Sequence, residues 1–240
     1  MPRAVAINVG ANTNAPGRRG PIYPDGSFEF VPIPESEPVR ESASVPTYAD
    51  LDLDADVPEG ALDEPVHLDP EFAEYPECEA YTYGDPHGVK ARPLSELSAG
   101  DYVFFYATLT ARGDPDRGWI APDWGAYLVG QFRLARDPVS GEAYADLPAD
   151  DRAAFATNAH CKRAEFDAAV LLAGEQAASG LYETAVPLSS ARAGAEANRI
   201  VTELSSDSGK GPWWRRPMRF GPAETADVLA LIEDGYEPPA

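Results

Sequence analysis

Two apolar runs in the middle of the chain leave little choice of structure. Tyr102-Val103-Phe104-Phe105-Tyr106-Ala107-Thr108-Leu109 is dense in aromatic and β-branched residues, the types that pack on a pleated surface. Tyr127-Leu128-Val129-Gly130-Gln131-Phe132 follows after a loop rich in Gly, Asp, Pro and Trp. Both runs predict strands, residues 101–109 and 125–135, and any fold of this chain has to bury them.

Other segments fall around that pair. Residues 3–9 read as a short buried strand ended by Gly10, and residues 11–20 as a loop rich in Gly, Asn and Pro. Pro24-Asp25-Gly26 is a turn, with Pro presetting φ and Gly supplying positive φ. Phe28, Phe30 and Ile33 then alternate as on an edge strand that Pro32 and Pro34 cut short. Residues 150–157 predict a helix capped by Asp150 or Asp151, and residues 184–188 an edge strand. Residues 166–175 are ambiguous, although 169–173 is short and apolar, as a strand of a small barrel would be. A helix is expected over residues 192–204. The clearest amphipathic helix is 223–233, opened by Pro222 and closed by Gly235, with Val228, Leu229, Leu231 and Ile232 facing inward. The pattern is α+β: a mixed or antiparallel sheet with a few peripheral helices.

Charge narrows the class of molecule less simply. Forty acidic residues stand against nineteen basic ones, a formal charge of −21. Taken alone, that argues against nucleic acid, whose binders neutralise phosphate with basic stripes. Yet only three of the basic residues are lysine (Lys90, Lys162 and Lys210), and the carboxylates are spread over the whole chain. Self-repulsion on that scale is tolerable where molar salt shrinks the Debye length to about 3 Å. The acidity then describes the solvent, a salt-adapted cytoplasm being favoured over a cation-binding or DNA-mimic role. Residues 35–85 concentrate it, with sixteen acidic residues against Arg40 alone. They read as an acidic insertion wrapped around a single domain spanning 1–240. No apolar run is long enough to span a membrane, no secretory signal is visible, and two cysteines suggest a reducing compartment, so a cytoplasmic protein is expected.

No standard catalytic signature occurs: no P-loop, dinucleotide fingerprint, nucleophile elbow or H-E-x-x-H. The three histidines, His67, His87 and His160, leave little room for a metal centre. In a strand the adjacent His160 and Cys161 point different ways, so no metal site is expected and Cys161 reads as a small buried hydrophobe. Three clusters remain. Asn8, Asn12, Asn14, Arg18, Arg19 and Asp25 lie around the first loop, where amides could read a base edge or merely stabilise turns. Asn158, His160, Lys162 and Arg163 gather an amide, an imidazole and two cations. Trp213, Trp214, Arg215 and Arg216 could stack a base and hold its phosphate, or pack on the core and pair with carboxylates.

The segment Asn8-Val9-Gly10, followed by Arg19-Gly20-Pro21-Ile22-Tyr23-Pro24-Asp25-Gly26-Ser27-Phe28-Glu29-Phe30-Val31-Pro32-Ile33-Pro34-Glu35, resembles the start of the third family of nucleotide modification associated domains. The likeness continues through residues 100–136 and Asn158, His160 and Arg163. That family is associated, mainly through genomic context, with enzymes that modify DNA bases, and it transfers no known catalytic residue. Residues 100–106 and 127–132 are also similar to the strand pair of PUA-like barrels, which implies a small barrel, an analogy at the level of fold.

Together these readings lead to the expectation of a base-modification protein that binds a nucleotide or a modified base, with enzymatic action on it left open. The alternatives are a reader of modified bases without catalysis, or an acidic interaction protein. Expected acid–base groups are Asp25, Glu29 and His160. Expected binding residues are Asn8, Asn12, Asn14, Arg18, Arg19, Tyr23, Asn158, Arg163, Trp213, Trp214 and Arg215. Partner DNA-modification enzymes are expected, a membrane partner is not, and the cofactor is left unknown.

Overall fold

In a computed structural model, which describes residues 1–14 and 16–236, the strands in chain order are β1 (Ala4–Asn8), β2 (Pro21–Ile22), β3 (Ile33–Pro34), β4 (Val66–His67), β5 (Thr82–Asp85), β6 (Tyr102–Ala111), β7 (Trp124–Arg133), β8 (Val139–Ser140), β9 (Val170–Ala173), β10 (Gly180–Pro187) and β11 (Met218–Phe220). The α-helices are α1 (Gly88–Ser95), α2 (Gly141–Tyr144), α3 (Ala149–Ala153), α4 (Ala159–Lys162) and α5 (Pro222–Glu233). The chain divides into two compact units. Unit 1 comprises Met1–Val31, Phe104–Gly130 and Tyr182–Ala240; unit 2 comprises Pro32–Val103 and Gln131–Leu181.

Unit 1 is built on a sheet of order β10-β7-β6-β1-β11, with β2 added to β6 in parallel. β1 pairs antiparallel with β11, Val5 opposite Arg219. The long strands anticipated around Phe104 and Leu128 are its centre, and Phe104, Tyr106, Tyr127 and Leu128 are fully buried. α5 starts with Pro222 at its first position and ends before Gly235, whose φ of 76° suits only glycine without strain. Of its four expected inward residues only Val228 is fully buried; Leu229, Leu231 and Ile232 are half-buried.

Unit 2 holds two smaller sheets, β3-β4 and β5-β9-β8, all antiparallel. The apolar run at 169–173 is therefore a strand. Val139, Phe155, Cys161, Ala168 and Leu171 pack as one apolar cluster, so Cys161 is the buried hydrophobe its context suggested. The acidic stretch contributes real core: Tyr48, Leu51, Leu68, Phe72 and Tyr83 are all buried.

The architecture is α+β with mixed sheets, and several local expectations need correction. Among the described residues no sheet closes into a barrel, so the PUA-like implication does not hold: β10 and β11 end an open sheet. The strand expected from Phe28 to Ile33 shrinks to β3, because Phe30 and Val31 are both buried and do not alternate. α3 is capped by Pro148 and stops at Ala153. The helix expected over 192–204 survives only as a π-turn at Ile200–Leu204. Gly194 explains the shortfall, since a Cβ there would fall 1.8 Å from the Trp124 carbonyl oxygen, a close approach only glycine allows.

Candidate functional site

The most concentrated polar chemistry lies inside unit 2. β3 and β4 pair so that Ile33 faces His67, and Glu35, just past the end of β3, reaches back to the imidazole. Glu35 Oε2 lies 2.6 Å from His67 Nδ1. Two residues beyond His67, Asp69 accepts from the Gly84 N–H (2.9 Å to Oδ1, 3.1 Å to Oδ2) and from Asn158 Nδ2 at 2.9 Å. Asn158 also caps α4, its Oδ1 accepting from the His160 N–H at 3.0 Å. His160 and Cys161 thus sit in a one-turn helix.

That cap aims the His160 ring at the same place as His67. The two rings meet edge to face with centroids 4.9 Å apart. His160 Nδ1 is 2.7 Å from Asp167 Oδ1, while its Nε2 faces Asp69 Oδ2 at 3.6 Å. His67 Nε2 faces the same oxygen at 4.0 Å. Arg163 ties the outer carboxylates together, donating to Glu35 at 2.8 Å and to Asp167 at 2.5 Å. His67, Asp69 and His160 are 6 %, 8 % and 2 % exposed.

Charge in this network is held by pairing. Burial works against the Glu35 carboxylate, yet hydrogen bonds from His67 and Arg163 hold its pKa down at about 2. Burial likewise opposes charge on Asp167, but His160 and Arg163 lower its pKa overall. Burial disfavours protonation of His160, and the negative charge of Asp69 together with the bond to Asp167 outweighs it, raising its pKa. Glu71, 1 % exposed, accepts from Thr82 at 2.7 Å and Thr157 at 2.9 Å, and Thr82 in turn accepts from Asn158 at 3.1 Å.

A second, separate cluster lies in unit 1. The Arg19 guanidinium carbon sits 4.4 Å from the centre of the Trp124 ring, and Trp124 meets Trp214 at 5.2 Å. Trp214 is half-buried, whereas Trp213 is fully buried and donates to the Ala195 carbonyl at 3.0 Å. Burial and the neighbouring positive charge of Arg215 both lower the Arg19 pKa. Arg19 Nε is buried with no hydrogen-bond partner among the described residues. This is a small cationic, aromatic patch in an otherwise anionic chain.

Of the residues expected from sequence, Asn158, His160 and Arg163 join the unit 2 network. Arg19, Trp213, Trp214 and Arg215 gather in unit 1. The others have local roles there. Asn8 donates to the Tyr106 carbonyl at 3.3 Å, and Asn12 accepts from the Thr13 N–H at 2.7 Å. Asn14 and Arg18 are exposed in the loop. Exposed Asp25 closes its own turn on Ser27, at 2.9 Å to the N–H and 2.6 Å to the hydroxyl, bonds that lower its pKa. Tyr23 donates to Glu29. Sequence reasoning missed Glu35, His67, Asp69, Glu71 and Asp167. One signal was present: His67-Leu68-Asp69 has the period of two that puts both polar side chains on one face of an extended segment.

An open mixed sheet in one unit and a buried histidine–carboxylate network in the other define an α+β protein equipped for polar chemistry. The chain belongs to the family described as nucleotide modification associated domain 3, whose pattern it matches over residues 3–230. Searches among curated proteins and among solved structures return no match. Among the described residues no helix is long and apolar enough to cross a membrane.

Proposed function

We propose that the protein binds a nucleotide or nucleic-acid base and takes part in its modification. Family membership supports the general role. The observation that carries the binding reading is the Arg19–Trp124–Trp214 arrangement, with Arg215 beside it. A half-buried tryptophan offers a π-face to a base. Two neighbouring guanidinium groups, one with a buried unbonded N–H, suit a phosphate. The enzymatic version is favoured over a passive reader by the buried His67–Asp69–His160 group, since recognition alone needs no such convergence of titratable side chains.

The test is a titration of the full chain with nucleotides and modified oligonucleotides in molar salt, read by tryptophan fluorescence, with mass analysis of the recovered base. Binding should weaken about 5- to 150-fold in Trp214→Ala, the loss of one stacked base. A mass change in the base supports the enzymatic version, and binding without one supports the reader. Failure to bind any nucleotide or oligonucleotide would sink both, leaving the acidic interaction protein.

A further inference from the structure

The geometry points to a metal centre in unit 2, in which His67 Nε2, His160 Nε2 and Asp69 Oδ2 hold one divalent first-row transition ion. The inference does not rest on nucleotide binding. One ligand atom from each of the three residues lies within 4.8 Å of the others. The two gaps to Asp69 Oδ2, 3.6 and 4.0 Å, are too long for hydrogen bonds. The atoms therefore converge without satisfying one another, as they would around a shared centre. An ion about 2.0–2.2 Å from each needs donors about 3.0–3.5 Å apart, so the two gaps to Asp69 close by a few tenths of an ångström and the imidazole pair, within 4.8 Å, by up to about 1.3 Å.

The surroundings are those a metal site requires. Each imidazole has its Nδ1 against a carboxylate, His67 on Glu35 and His160 on Asp167, which fixes ring orientation and directs Nε2 inward. Asp69 is oriented in turn by Gly84 and Asn158. Arg163 bridges the two outer carboxylates, so one side chain holds both supports. Charge agrees as well. The carboxylates nearest the imidazoles (Glu35, Asp69, Asp167) against Arg163 leave two negative charges with neutral imidazoles, buried Glu71 adds a third, and Lys90 and Asp85 offset one another, so the surplus is negative, the sign a divalent ion needs. Two nitrogens and one oxygen suit Zn²⁺ or Fe²⁺ and are a poor set for Mg²⁺ or Ca²⁺, which prefer all-oxygen ligands. Three protein ligands would leave coordination positions open, the arrangement of a reactive rather than a purely structural ion.

The full chain, stripped with a chelator, is re-equilibrated with Zn²⁺, or anaerobically with Fe²⁺, and the retained ion measured by mass spectrometry after gel filtration. Retention of one ion per chain is expected, and competition between the two ions ranks them. His67→Gln, His160→Gln and Asp69→Asn should abolish retention with unchanged far-ultraviolet circular dichroism. Glu35→Gln and Asp167→Asn, which only position the imidazoles, should weaken it by about 10- to 100-fold. If the ligand variants unfold, Co²⁺ decides on the unaltered chain: ligand-field bands of a protein-bound ion support the site, and the aqueous spectrum overturns it. Two imidazolium ions would offset two of those charges. Failure to retain any of these ions, with both imidazoles protonated by NMR, would establish that arrangement instead. Retention by folded Asp69→Asn/His160→Gln, or a preference for Mg²⁺ or Ca²⁺, also overturns the inference.

Discussion

His67 and His160 meet at 87°, ring centroids 4.9 Å apart, and each leans on a different carboxylate that the same Arg163 holds. The pair comes from a two-residue strand and a one-turn helix, neither of which would be stable alone. What keeps the rings in place is therefore the hydrogen-bonded network around them, and the first two predictions probe it.

Gly84→Ala should disturb the network without removing any polar group. A Cβ at position 84 would lie 2.6 Å from His160 Cδ2 and 3.2 Å from Asn158 Oδ1. The expected cost is about 1–3 kcal/mol, read from the urea midpoint. Ion retention should fall as well, although Gly84 supplies no ligand. Unchanged stability would mean that His160 can move aside freely.

Arg163→Met leaves Glu35 buried and without its guanidinium. Breaking a buried pair from one side costs about 3–5 kcal/mol, and Lys at this position should recover little because it cannot span both carboxylates. Adding Glu35→Gln to Arg163→Met should restore part of the loss. A double variant less stable than Arg163→Met alone would contradict the pairing.

The two tryptophans at 213 and 214 should separate cleanly. Trp213 is core, so Trp213→Ala should cost about 3–5 kcal/mol in chemical denaturation. Trp214 loses mainly its ring contacts with Trp124 and Trp213, about 1–2 kcal/mol. Nucleotide affinity should follow Trp214 while the fold follows Trp213. Equal stability losses would remove the distinction.

Burial, with the Glu71 carboxylate nearby, pushes the Cys78 thiol up to about 12. The thiolate is the reactive form, so it is scarce at pH 8 and grows only as pH rises through that value. Native Cys78 should react with iodoacetamide at pH 8 at least about a hundredfold more slowly than in guanidinium, where its pKa returns to about 8.5. Peptide mapping of labelled protein measures this, and equal rates would show the thiol to be exposed.

Legibility in the sequence followed the range of the interactions. Phe104, Leu128 and the β1 segment were readable because their β propensity and burial are local properties. So was α5, with Pro222 and Gly235 marking its ends. The expected helix through Arg192 failed because Gly194 has to approach the Trp124 backbone, a constraint set far away in the chain. The site was legible only in part. Asn158, His160 and Arg163 attracted notice as a polar cluster, but their partners Glu35, His67 and Asp69 lie in the acidic stretch, where carboxylates are too numerous to single any out. Only the β3–β4 pairing and the Asn158 cap bring the halves together.

The segmentation of the chain has a consequence for how such a protein can be cut or inherited. The path changes unit after Val31, Val103, Gly130 and Leu181. Neither unit corresponds to a contiguous stretch, so no restriction fragment encodes one, and neither could have been acquired by end-to-end fusion of a finished module. During synthesis, the sheet of unit 1 cannot be completed until β11, Met218–Phe220, has left the ribosome to pair with β1. The aromatic patch of Trp124 and Trp214 is therefore completed only after every residue of the histidine network has been made.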